Sequence, residues 1–213
     1  MKEIFVYLEG QSDQIGMRRL LSHPIDCATA KGNRVEFYFM GGKKLLLNNG
    51  HKKAINILRN KPNSWVFLVP DLYPQNMPFA HSTYDELKRE LEKRFRSELQ
   101  RKNCDNRLKD RFLVHCFKYD LEVLLLASDK HLLKRLGTTK FTQTWANPVE
   151  DQDHHRPPKR VVEDLFSDAG KKYKETADVP WILERSDYNE LQNKCPQNFK
   201  PFLEDLLKLL EQE

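Results

Sequence analysis

Two apolar runs constrain this chain more than any other feature. Ile4, Phe5, Val6, Tyr7 and Leu8 form one, and Trp65, Val66, Phe67, Leu68 and Val69 form the other. Neither alternates polar with apolar residues, the habit of strands buried on both faces of a parallel sheet under helices. Each run stops at an acid: the first at Glu9, with Gly10 and Asp13 behind it, the second at Pro70 and Asp71. In open α/β sheets ligands bind in the crevice outside the carboxyl ends of the strands. If the runs are neighbouring parallel strands, Glu9 and Asp71 emerge at one sheet edge, where a divalent cation can join them. Gly10 allows a tight turn, and Ser12 or Asp13 can cap a helix carrying Ile15, Met17, Leu20 and Leu21. Taken singly, the same residues have plainer readings: Asp13 as a helix cap, Glu9 as a solvated strand end, Asp71 with Pro74 as a turn.

The remaining segments fill out an alternation of strands and helices. Residues 35–40 read as a strand ending in Gly41 and Gly42, a corner that with Lys43 and Lys44 either takes a phosphate or merely turns. A helix is expected to start near Lys43, and a separate amphipathic one to run over 51–59 with Ala54, Ile55 and Leu58 inward. The spacing of Leu87, Leu91, Phe95 and Leu99 predicts a long helix over 84–101 with its mixed charges in solvent. Residues 112–117 read as another strand, with His115 as a core histidine, and Asp120 and Glu122 lead into a helix over 123–127. Helix phase sets Asp120 and Glu122 apart, so at most one of them is expected at the shared edge. From about Thr138 the chain turns loop-like through Trp145, Pro148, His154, His155, Pro157 and Pro158. Adjacent histidines point apart and no HExxH spacing is present, so no zinc site is expected there. Helices over 161–166 and 202–210 then cover the core.

Composition narrows the class. A charged fraction of 31% against 39% hydrophobic residues is polar for a globular protein, yet 12 Phe, 7 Tyr and 3 Trp argue against disorder. The formal charge of +5 is interspersed among both signs, which permits approach to a polyanion without a basic tail. Cys27, Cys104, Cys116 and Cys195 form no CxxC pair and read as cytosolic thiols rather than a zinc ribbon or redox motif. The first apolar run ends too soon for a signal peptide, and no stretch reaches transmembrane length, so a cytoplasmic protein with no membrane partner is expected.

The Glu-Gly step after one strand and the acid after a later one resemble the TOPRIM fold shared by topoisomerases, primases and nucleases of the overcoming-lysogenization-defect type. More closely, the chain resembles a bacterial TOPRIM-like family encoded beside ABC- or SMC-type ATPases in phage-defence and restriction loci. The matching pieces are residues 6–13, 68–74 and 115–127, then Pro157, Pro158, Lys159, Tyr173, Lys174, and residues 195–199. The resemblance implies an α/β fold with a mainly parallel, Rossmann-like central sheet over residues 1–137. A mostly helical extension over 138–213 would pack on it. It further implies a nuclease dependent on Mg²⁺ or Mn²⁺, acting on DNA or RNA as the effector of an ATPase-coupled anti-phage system. The catalytic roles then fall on Glu9, Asp71 and Glu122, the metal on Glu9, Asp13 and Asp71, and nucleic-acid contacts on Lys118, Lys159 and Lys174. One departure stands out. The family pattern Asp-x-Asp has Tyr73 at its second acid, so Glu122 is the candidate to replace that ligand. The alternative is a catalytically silent interaction or toxin-like subunit of an ATPase complex.

Overall fold

The structure, a computed structural model, describes residues 1–211. Four strands carry the sheet: β1 Glu3–Leu8, β2 Arg34–Phe39, β3 Ser64–Leu68 and β4 Phe112–Val114. They lie in the order β2-β1-β3-β4 and every pair is parallel. Tyr7 sits opposite Tyr38 on one side and Leu68 on the other, and Leu68 opposite Val114. The carboxyl ends of all four strands are therefore level. The pairing continues past them, with Val69 N donating to Tyr7 O at 2.9 Å and Phe117 N to Pro70 O at 3.1 Å.

Parallel strands need crossovers, and the chain supplies helices for them. These are α1 Gln11–Leu20, α2 Ser22–Ala30, α3 Lys43–Asn60, α4 Tyr84–Arg101, α5 Glu122–Ala127 and α6 Asp129–Leu136. Then come α7 Pro158–Asp168, α8 Glu175–Leu183, α9 Tyr188–Lys194 and α10 Phe199–Glu211. Side chains alternate across a strand, and the sheet uses both faces. Phe5, Tyr7, Val66 and Leu68 pack with Leu47, Ile55, Leu91 and Phe95 of α3 and α4. Ile4, Val6, Leu8 and Phe67 pack with Met17, Leu125, Val162, Ile182 and Phe202 on the other face. We propose that the sheet-bearing part ends at Gly137, whose left-handed φ of 75° closes α6, with 138–213 as the extension. The last two residues of that extension lie outside the described residues.

One expected break is absent. The separate helices expected near Lys43 and over 51–59 are a single helix, α3. Gly50, inside that helix, lies flush against the sheet, where an added Cβ would come within 2.9 Å of Leu68 Cδ1. The glycine is a close-approach point, and the helix runs through it. His115 is buried as expected, stacked on Phe67 at 5.8 Å between ring centroids, with Nε2 3.1 Å from Asp205 Oδ2 of α10. No helix among the described residues is long and apolar enough to cross a membrane.

Candidate metal centre

The site is built by chain ends converging at the level carboxyl edge. Glu9 follows β1, and its Oε1 accepts a hydrogen bond from Asp71 N at 2.9 Å, which ties the end of β1 to the end of β3. Asp71 itself bridges in parallel to Phe117. Asp13 stands in the first turn of α1, where its Oδ2 accepts from Gly10 N at 2.9 Å and its Oδ1 from Ser12 Oγ at 3.2 Å. It therefore fastens the turn while favouring the positive end of the helix dipole. Glu122 opens α5 and accepts from the Tyr173 hydroxyl at 3.0 Å. All four carboxylates line one cavity of about 340 Å³.

A fifth joins them. Asp120 also lines the cavity, its two oxygens each 3.2 Å from Lys159 N. The expectation that only one of Asp120 and Glu122 reaches the edge is overturned. Helix phase does not govern Asp120, because it precedes the Leu121 cap and lies in the irregular segment leading to α5. Sequence reasoning had the signal in the Asp-x-Glu spacing and discarded it.

Crowding these acids has a charge cost that the protonation equilibria show. Burial pushes Glu9 up to about 7, with Asp13 adding repulsion and Lys43 opposing it. Burial likewise raises Asp120 to about 7 and Glu122 to about 8, the latter with repulsion from Asp120 as the next cause. Asp71 is driven well above the carboxylate range, by burial first and then by Glu9, Asp13, Asp120 and Glu122 together. Asp13 is raised by burial too. Desolvation leads in every case, and repulsion from neighbouring carboxylates adds to it for Glu9, Asp71, Asp120 and Glu122.

Two lysines stand beside the acids. The amino group of Lys159 lines the cavity and pairs with Glu175. Lys43 does not offer itself to a phosphate at the glycine corner. It is 6% exposed and its Nζ turns inward to Leu72 O at 2.8 Å and Pro74 O at 2.6 Å, so its charge acts on Glu9 and Asp71 from behind. Sequence reading missed this anchoring role, since a lysine after two glycines looks like a displayed one.

The other expected site residues lie apart. Lys118 Nζ is held by Asp151 at 3.3 Å and Gln197 at 2.9 Å. Lys174 lines a different cavity. Tyr73 is 42% exposed and outside the acidic lining, with its N donating to Tyr119 O. Nor do His154 and His155 point apart. Their ring centroids lie 3.8 Å apart, and Asp153 Oδ1 sits 3.3 Å from His154 Nδ1. The loop thereby brings the three exposed groups within 4.8 Å of one another.

Chemically, the acidic cavity offers carboxylate oxygens and, among the described residues, no thiol or imidazole. Such a donor set suits a hard divalent cation, whose charge would favour the ionised carboxylates that burial and repulsion disfavour. In donor chemistry the lining suits a magnesium-type ion, while among the described residues the trio of ligand atoms already within 4.8 Å of one another is that of Asp153, His154 and His155.

A family model described as Domain of unknown function (DUF4276) matches residues 8–207, a span that includes all five carboxylates. No curated protein matches the chain. Two solved structures of the C-terminal region of the Xanthomonas campestris pv. campestris OLD protein are similar to it, one phased with iodine and one with mercury. The first has 14% identity and a TM-score of 0.51 over 97% of this chain and 95% of that one. The second has 11% identity and a TM-score of 0.47 over the same shares. The likeness to the first is one of fold.

Proposed function

The chain belongs to the family described as Domain of unknown function (DUF4276), and from its acid-lined sheet edge we propose that it is a divalent-metal-dependent nuclease. The observation that carries the reading is the convergence of Glu9, Asp13, Asp71, Asp120 and Glu122 on one cavity. Five buried or half-buried acids cost stability unless something positive binds among them. Glu9, Asp13, Asp71, Asp120 and Glu122 would hold Mg²⁺ or Mn²⁺. Such ions supply Lewis-acid stabilisation of the attacking and leaving oxygens of a phosphodiester.

The chain's own residues do the rest. Glu9, fixed by Asp71 N, is placed to accept a proton from a nucleophile at the cavity. Tyr173 orients Glu122 through its hydroxyl. Lys43 holds the loop behind Asp71 in place. Lys159, paired with Glu175 at the cavity wall, can exchange that partner for a substrate phosphate.

The test is cleavage of plasmid DNA and of RNA by the purified protein in Mg²⁺ or Mn²⁺, wild type beside Glu9→Ala and Asp71→Asn. Metal-dependent cleavage lost in both variants is expected. Equal cleavage by wild type and Glu9→Ala overturns the assignment. The sequence resemblance supports the further reading that the protein is the effector of an ATPase-coupled anti-phage system, with an ABC- or SMC-type ATPase as partner. Co-purification with the neighbouring ATPase tests that reading. A silent interaction subunit is the second reading, favoured by Tyr73 at the place of the second aspartate and its position outside the cavity. Calorimetry discriminates: the nuclease reading expects Mn²⁺ binding abolished by Asp71→Asn, and the silent subunit expects none in wild type.

A further inference from the structure

A second cavity, of about 400 Å³, is opposite in charge and meets the acidic one in sequence, Lys174 lining it and Glu175 lining the acidic one. Arg135, Lys171, Lys172, Lys174, Phe166 and Asp178 line it. Its single acid is already committed. Asp178 is buried and takes the Arg135 guanidinium at 2.6 Å, and Lys174 N at 2.6 Å. That guanidinium also lies over the Trp181 ring, 5.1 Å from its centroid. Arg135 is thus held from two sides, the preorganisation that phosphate recognition uses. Lys171 Nζ donates to Arg135 O at 2.9 Å, which ties the 171–174 segment to the end of α6. Lys172 and Lys174 are exposed, and among the described residues neither amino group meets a carboxylate.

The segment alternates. Lys172 and Lys174 face outward, whereas Tyr173 and Glu175 are half-buried and turn to the acid site, Tyr173 on Glu122 and Glu175 into the acidic lining. One stretch of chain therefore contributes to both sites. Three residues of extended chain span about 10 Å, roughly the rise of three phosphates along one duplex strand.

We infer that the cavity of Arg135, Lys171, Lys172 and Lys174 is a phosphate-backbone subsite that holds a nucleic-acid strand beside the acid cluster. The inference rests on the nuclease reading for its biological meaning, but binding here needs no metal. Arg135, whose Nε and one terminal nitrogen are held by Asp178, has its other terminal nitrogen left for a phosphate, and the two unpaired lysines add point charges along the strand. Sequence specificity is not expected, because backbone contacts position a strand without reading it.

The experiment is fluorescence anisotropy of labelled single- and double-stranded DNA and RNA oligonucleotides in EDTA, across salt concentrations. Wild type is compared with Lys172→Gln/Lys174→Gln and with Lys52→Gln/Lys93→Gln, whose lysines are exposed on the helices covering the opposite face. Thermal melting checks that each variant folds. The Lys172/Lys174 pair is expected to bind more weakly and to lower the slope of log affinity against log salt by about 2, the Lys52/Lys93 pair to leave it unchanged. The DNA and RNA arms say which polymer carries the phosphates. Wild type that binds no oligonucleotide at low salt overturns the inference, as does an unchanged slope in a folded Lys172/Lys174 variant. Displacement by polyglutamate as effective as by oligonucleotide also overturns it, in favour of an acidic protein partner. Binding lost in that variant, with no cleavage by wild type, keeps the subsite and removes the nuclease. Glu9-dependent cleavage that the variant retains with unchanged KM does the reverse.

Discussion

Glu122→Gln should make the metal-free protein more stable at pH 8 and the metal-loaded protein less so. Glu122 is buried, and its carboxyl is pushed up from 4.5 to about 8 by desolvation and by Asp120. A folded-state constant above the unfolded one means that folding favours the protonated form. Its contribution is full below about pH 4.5 and is lost as pH rises through 8. At about 1.4 kcal/mol per unit, ionising the folded wild type at pH 8 costs about 4 kcal/mol. Glutamine avoids that cost and keeps an oxygen for the Tyr173 hydroxyl, but it buries an amide NH₂, which offsets roughly 2 kcal/mol. The net gain of about 2 kcal/mol corresponds to roughly 4–8 °C in a chain of this size. Thermal melts in EDTA at pH 5 and pH 8, repeated in Mn²⁺, measure it. The variant should melt above wild type only at pH 8 in EDTA. The order should reverse in Mn²⁺, where wild type gains about 2.7 kcal/mol at a hundredfold excess over its dissociation constant. If the variant melts no higher than wild type in EDTA at pH 8, the acid cluster is not under charge strain and the reasoning fails.

Three other perturbations probe the scaffold. Lys43→Met removes the donor to Leu72 O and Pro74 O and should cost about 2 kcal/mol in a denaturant melt, together with metal affinity measured by calorimetry. Gly16→Ala drives a methyl to 2.7 Å from Val179 Cγ1 where α1 meets α8, and should cost about 1–3 kcal/mol, with Val179→Ala restoring most of it. Glu150, fully buried, accepts from Asn198 N at 2.8 Å and Phe199 N at 3.1 Å at the start of α10. Glu150→Ala should cost about 3 kcal/mol or more by orphaning those donors, seen as faster hydrogen exchange over residues 197–200.

The legible parts of this chain were those where one local rule decides. Two uninterrupted apolar runs implied buried parallel strands, and β1 and β3 are neighbours in register. Glu9 and Asp71 could be paired from sequence because parallel neighbours must end at the same edge. The rest depended on where chains outside regular elements turn. Asp120 was misplaced because a helical rule was applied two residues before the helix begins. Lys43 was misread because sequence shows a charge but not that two carbonyls of the 72–74 loop will receive it. The single helix α3 was read as two because sequence cannot show that the helix starting at Lys43 runs unbroken to Asn60, with Gly50 seated against Leu68. The pairing of Arg135 with Asp178, forty-three residues apart, has no local signature at all.

The central claim is that the five carboxylates at the sheet edge form one divalent-cation centre. Anomalous scattering from a crystal soaked in MnCl₂ tests it most directly. The account expects manganese within about 2.0–2.6 Å of oxygens of Glu9 and Asp71 and of at least one of Asp13, Asp120 and Glu122. Manganese absent from this cavity, or found only at Asp153, His154 and His155, would contradict it.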